Sequence, residues 1–190
     1  MAVQKGIDRW KLKKWFNVHA PAIFNEEVIA EIPANDEKAV LNRRIKIGLD
    51  TLTHNPQNAY ADIFFRITSV AGNNASTRLD KIELPMSYTR SLARKYRSIA
   101  DATIKTSTKD NVSMKVKPLV ITQRRETKSR IKGIRKEMED YIKNFFSAND
   151  EQQAVMAIVE GKLQADLASK LGHIAQINKV EIKKLEVGKS

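Results

Sequence analysis

Arg90, Arg94 and Arg97 stand at positions i, i+4 and i+7 of the run Arg90-Ser91-Leu92-Ala93-Arg94-Lys95-Tyr96-Arg97. On a helix this spacing puts three guanidinium groups on one face, with Lys95 beside it. Cations packed so closely repel one another unless an anion lies against them. Phosphate suits them, because the planar guanidinium fork meets its oxygens two at a time. The same pattern also describes a solvated basic face. The two readings separate on how charge is spread over the rest of the chain.

It is spread unevenly. The 190 residues carry a formal net charge of +12. Residues 86–135 hold fourteen Lys or Arg against three acids, and residues 1–16 hold five bases against one. Everything else is acidic on balance. Positive charge gathered in a tail and one central block is the footprint of a polyanionic partner, whose counterions are released on binding. In the central block Arg124, Arg125, Lys128 and Arg130 form a second cluster, and Lys115 and Lys117 share one face of an alternating segment. Cations at the start of a helix oppose its dipole, so stability alone does not favour those beginning at Lys128. In the tail, Trp10-Lys11-Leu12-Lys13-Lys14-Trp15 alternates indoles with ammonium groups. Such rings can stack on bases while lysines neutralise phosphates, although Trp15 with Phe16 can equally close the edge of a core.

Catalytic constellations are scarce. His19, His54 and His173 are far apart and none has a partner at metal-ligand spacing. Gly161-Lys162-Leu163 fails the phosphate-loop pattern, Gly72 stands alone, and Glu137 with Asp140 reads as a solvated helix face. The absence of cysteine excludes disulfides, thiolate metal sites and cysteine nucleophiles, and fits a reducing cytosol. No enzyme activity, cofactor or metal is expected. No apolar run is long enough to cross a membrane, and the first twenty residues lack the apolar stretch of a secretory signal, so the expectation is a cytoplasmic protein with no membrane partner.

The elements that must position these cations follow from periodicity. Ile45, Ile47 and Leu49 alternate, as do Ile63, Phe65 and Ile67, so both stretches predict half-buried strands. Ala71-Gly72-Asn73-Asn74-Ala75 predicts a hairpin turn returning through Thr77 to Leu84. A helix over 86–96, capped by Ser87, carries the opening cluster, and strands follow over Ala102–Thr108 and Val112–Ile121. From Thr127 the period is helical, with Ile131, Ile134, Met138, Tyr141, Ile142 and Phe145 as the core stripe. Ser147-Ala148-Asn149-Asp150 interrupts it, a further helical stretch ends near Gly172, and Lys179–Lys183 alternates as a last strand. The expected class is α+β: an antiparallel barrel-like or sandwich core of about six strands, with attached helices and a basic N-terminal tail. The expected division is a tail over 1–16, a β-rich core over 17–121 with the inserted basic helix, and a helical part with the final strand over 122–190.

The chain also resembles a family, the archaeal and eukaryotic small-subunit ribosomal proteins called S-one-e or S-three-a-e. The matching blocks come in the family's order over nearly the whole chain. They are Trp10-Lys11-Leu12-Lys13-Lys14-Trp15-Phe16, Ala20-Pro21, Phe24-Asn25, Arg43, Ile45, Leu52-Thr53, Gly72-Asn73-Asn74-Ala75 and Glu83-Leu84. Arg90-Ser91-Leu92-Ala93-Arg94-Lys95 is the central match. Thr108-Lys109-Asp110, Val116-Lys117-Pro118, Ile134-Arg135-Lys136, Gly161-Lys162-Leu163 and Val180-Glu181-Ile182 follow. The chain departs where the family tends to glycine, at Asn42, Lys81 and Asn111, and where arginines are usual, at Tyr96 and Ile99. The length suggests an archaeal-type member. The resemblance implies a structural protein of the small subunit's platform near the messenger RNA exit. Its partners would be ribosomal RNA and neighbouring platform proteins, with Arg43 added to the RNA-binding set. Two rivals are a free-standing single-stranded RNA binder with an oligonucleotide-binding barrel and a metal-dependent nuclease.

Overall fold

The computed structural model describes Trp10 and residues 13–188. The chain forms two compact units, Met1–Lys46 with Phe64–Leu79 and Ile47–Ile63 with Asp80–Ser190. The described residues hold nine strands and five α-helices. The expected α+β class is what forms, while the number and order of strands depart from the expected meander.

In the first unit, β1 (Lys14–His19) pairs antiparallel with β2 (Val28–Ala34) and parallel with the start of β5 (Asn74–Glu83), through Asn17–Asn74, Val18–Ala75 and His19–Ser76. That parallel pair is one departure from an all-antiparallel meander. β3 (Arg44–Gly48) pairs with β4 (Asp62–Ala71), and β4 with β5. The turn from β4 to β5 is closed by Gly72 and Asn73, and Gly72 takes a φ of 61° at the first central position, where only glycine is unstrained. β4 alternates as its sequence requires, so Ile63, Phe65 and Ile67 are fully buried while Phe64 and Arg66 between them are only half-buried. Phe16, Val18, Ala34, Val40, Ile67 and Ala75 form this unit's core. Phe24 meets Phe65 edge to face at 5.8 Å, and Thr77, a buried polar residue, donates its hydroxyl to the His19 carbonyl at 2.7 Å.

In the second unit, α1 (Leu49–Thr53) and α2 (Met86–Leu92) are short. β6 (Ile99–Asp101) and β7 (Ile104–Ser107) both pair antiparallel with β8 (Ser113–Thr122). α3 (Lys128–Ala148), α4 (Glu151–Val159) and α5 (Lys162–Leu171) follow, and β9 (Ile177–Val187) ends the chain's described elements. β9 runs between β5 and β8, pairing antiparallel with both, so a late strand takes a central place and the expected chain-order meander is not followed. The stripe on α3 buries Ile134, Met138, Ile142 and Phe146; Tyr141 and Phe145, expected in it, are half-buried at its margin. α3 packs on β6 and β7, and α5 on β9. Beyond the register shift at Lys117/Pro118, β8 is buried on both faces from Pro118 to Thr122, as expected of a strand covered on each side.

The last part of β9 carries a checkerboard of charge on half-buried side chains. Lys81 stands opposite Glu186 and Glu83 opposite Lys184 across the β5–β9 pair. Ion pairs link Lys81 to Glu83 at 2.5 Å, Lys184 to Glu186 at 2.6 Å and Lys115 to Glu186 at 3.5 Å. The Lys81 hydrogen bond holds the Glu83 carboxyl below its ordinary range, and the Lys184 hydrogen bond does the same for Glu186. A depressed carboxylate contributes stability that is present above its unfolded-state value and lost as pH falls through the folded one. Stability should therefore decline on acidification through and below the usual carboxylate range. A Glu83→Gln, Glu186→Gln variant should start less stable at neutral pH and lose less on acidification; equal losses in denaturant titrations would contradict the linkage. In the core, Phe146→Ala should cost about 3–5 kcal/mol, read as a lower denaturant midpoint.

Candidate nucleic-acid interface

The two basic clusters of the second unit are distant in sequence and joined by one threonine. β6 pairs with the end of β8, Ile99 opposite Ile121, which brings Ser98 beside Thr122. The Thr122 amide donates to the Ser98 carbonyl at 3.0 Å, and the Ser98 amide donates back to the Thr122 hydroxyl oxygen at 3.0 Å. The Thr122 hydroxyl lies 2.6 Å from the Arg124 carbonyl, its acceptor. The Ser98 hydroxyl in turn accepts the Glu126 amide at 2.9 Å. Thr122 is fully buried, so each of these polar groups must find a protein partner there. The result is a latch that ties the segment ending at Arg97 to the segment holding Arg124 and Arg125.

The first cluster is not the helix that its spacing predicts. α2 stops at Leu92, Ala93 is extended, and Tyr96 sits in the left-handed region at a φ of 66°. Pro85, not Ser87, occupies the position before the first helical residue. Only Arg90 is therefore helical; Arg94, Lys95 and Arg97 belong to a turn in which the Arg97 amide donates to the Arg94 carbonyl at 3.3 Å. The physical reasons are local. Like charges at i and i+4 destabilise a helix, and the hydroxyls of Thr89 and Ser91 bond back to the Met86 and Tyr88 carbonyls. The pairing of β6 also demands extended chain by Ser98. The turn brings the backbones of Arg94 and Arg97 together. Lys95 Nζ rests 5.1 Å from the exposed Tyr96 ring.

Around the second cluster some charge is answered internally. Arg130 bonds Glu126 at 2.9 Å, and Arg135 reaches both the carbonyl and the carboxylate of Asp101, at 3.1 and 3.3 Å. Lys115 is held by Glu186. Lys117 is half-buried beside the β8 irregularity and stands opposite Lys184. Among the described residues, no carboxylate pairs with Arg90, Arg94, Lys95, Arg97, Arg124, Arg125 or Lys128. The first turn of α3 holds no acid, and Thr127 makes no side-chain cap. The second unit thus presents cations of one sign on a hydrogen-bonded frame. Arg130, Arg135 and Lys115 are thereby matched internally and are less available to an outside anion.

The remaining expected residues lie in the first unit. Trp10 is exposed with Lys13 Nζ 4.0 Å from its ring centroid. Lys14 and Trp15 are exposed on β1, and it is Phe16 alone that closes the core. Arg43 is exposed while its carbonyl accepts the Ile67 amide at 3.0 Å. Lys11 lies outside the described residues. Ser98 and Thr122 escape sequence reading: neither has a motif, and Thr122 reads only as the polar end of a strand.

Comparison with known proteins follows the same lines. The model of the Ribosomal S3Ae family matches residues 1–190. The chain is similar to the small ribosomal subunit protein eS1 of Methanothermobacter thermautotrophicus, at 34% identity over 95% of this chain and 92% of that protein. It is similar to the eS1 of Sulfurisphaera tokodaii at 36% identity over 96% and 95%. For the eS1 of Pyrobaculum arsenaticum the values are 35% over 95% and 82%.

Replacing Thr122 with valine keeps the volume and removes the hydroxyl. It leaves the Ser98 amide without a partner, at an expected cost of about 1–3 kcal/mol. Amide exchange at Ser98 and Glu126 should quicken with it; protection equal to the parent's would show that the latch does not hold the two segments.

Proposed function

The chain belongs to the ribosomal S3Ae family, and from that premise we propose that it is a structural, non-catalytic constituent of the small ribosomal subunit whose basic second-unit surface lies on ribosomal RNA. The observation that carries the reading is the set of unpaired cations on both sides of the Ser98–Thr122 latch. Arginines held apart at fixed positions suit phosphates at fixed positions, as folded RNA supplies and free peptide or nucleotide does not. The predominance of Arg and Lys supports recognition of backbone and shape. Lys11, Lys13 and Lys14, with Trp10 and Trp15, would add contacts from the N-terminal stretch. The finer placement, on the platform near the messenger RNA exit among neighbouring platform proteins in the cytoplasm, follows from the family resemblance.

Two measurements test this. A tagged chain should sediment with small subunits through a sucrose gradient, and recovery only at the top of the gradient would defeat the proposal. Changing Arg90, Arg94 and Arg97 to alanine should flatten the salt dependence of RNA binding by roughly two to three phosphate equivalents. An unaltered slope would remove those side chains from the interface.

A further inference from the structure

Tyr60 is 58% exposed, yet its ring is held in place. It stacks on Tyr88 with centroids 4.5 Å apart and planes 10° from parallel. Tyr88 is fixed in turn: its hydroxyl donates to Glu181 at 3.0 Å and accepts from Lys179 Nζ at 2.6 Å, and Lys179 also pairs with Glu181 at 2.7 Å. Burial raises the Tyr88 hydroxyl above its ordinary value, so it stays a donor. Burial pulls the Lys179 ammonium down, but the bonds to Glu181 and Tyr88 outweigh it and the group stays charged.

The backbone under Tyr60 is pinned as well. The Leu49 amide donates to the Ala61 carbonyl at 2.8 Å, the Ala61 amide to the Asn58 carbonyl at 2.9 Å, and the Asn58 side chain to the Thr53 hydroxyl at 3.1 Å. The cavity beneath the two rings, lined by Asn58, Tyr60, Tyr88 and Gln164, is about 60 Å³. That is room for water and not for a base or a side chain, so any flat partner must lie on the outside of the stack. Tyr88 covers one face of Tyr60 and leaves the other to solvent. Tyr88 also sits on α2 two residues before Arg90, the first cation of the interface.

We propose that the outward face of Tyr60 is a stacking platform for one unpaired nucleobase of RNA. This rests on the RNA-binding reading above and adds to it a contact made to a base instead of a phosphate. Every base has a π-face, and a ring already immobilised loses little further freedom when a base settles on it. The aromatic pair behind it supplies the rigidity that an isolated surface tyrosine lacks.

The test uses the full chain, a short labelled oligoadenylate, and an oligonucleotide of the same length carrying abasic sites, with anisotropy read at several salt concentrations. Tyr60→Leu keeps apolar bulk and removes the flat ring. It should weaken oligoadenylate binding roughly 5- to 100-fold, leave abasic binding unchanged and leave the salt slope intact, while Tyr60→Phe should bind as the parent does. Oligoadenylate affinity equal to the parent's in Tyr60→Leu, or equal losses for both oligonucleotides, would overturn the platform. Photocrosslinking of the unmodified chain to oligoadenylate gives a readout independent of the variant's folding: an adduct at Tyr60 supports the platform, and adducts only elsewhere refute it. If the parent binds neither oligonucleotide, the platform falls, while the RNA-binding reading stands or falls separately on sedimentation with small subunits.

Discussion

Guanidinium groups repel one another, and a protein that gathers them must supply the force that keeps them together. In the second unit that force is the pairing of β6 with β8 and the buried hydroxyl of Thr122 where the pair ends. The cost of leaving a buried amide or carbonyl unpaired is larger than the screened repulsion between exposed cations at the surface. The arrangement holds because the hydrogen bonds lie inside, in low dielectric, while the charges lie outside, in water. The carboxylates of Glu126 and Asp101 answer two of the neighbouring arginines and leave the rest to an external anion.

Buried threonines recur as fasteners. Thr77 ties β5 to the end of β1 in the first unit, and Thr108 closes the turn between β7 and β8 through Val112 in the second. Each is a polar side chain in an apolar setting whose hydroxyl is spent on a backbone carbonyl, so each fixes register as well as contributing stability. The apolar residues around them set how far strands and helices sink, but hydrophobic burial has no direction and does not choose which carbonyl meets which hydroxyl. Together these constraints give the cations a rigid backing, which phosphate recognition by shape requires.

Charge is divided along α3 in the same spirit. Its front half carries Lys128, Arg130, Lys132, Arg135 and Lys136, and its middle carries Glu137, Glu139 and Asp140. One helix therefore offers a basic start beside Arg124 and Arg125 and an acidic continuation that nucleic acid would avoid. The ion-pair checkerboard of β5, β8 and β9 is different in kind, since its lysines are matched by Glu83 and Glu186 and so are not available to an outside anion.

Much of this was legible without coordinates. Alternation in 63–67 and the three-and-four spacing from Ile134 to Ile142 decide strand and helix by themselves, because a side chain's face follows from the period of its own backbone. Uneven charge is likewise a property of the chain alone, and it pointed to a polyanion before any fold was known. The extent of α2 was not legible: the arginine spacing fits a helix, and beside the local causes it is a strand pairing with residues some twenty positions later that demands extended chain. The central place of β9, the parallel contact of β1 with β5, the coupling of Ser98 to Thr122 and the stacking of Tyr60 on Tyr88 were decided by tertiary structure for the same reason. Each is a contact between residues distant in sequence, and periodicity says which way a side chain faces but not what it will meet.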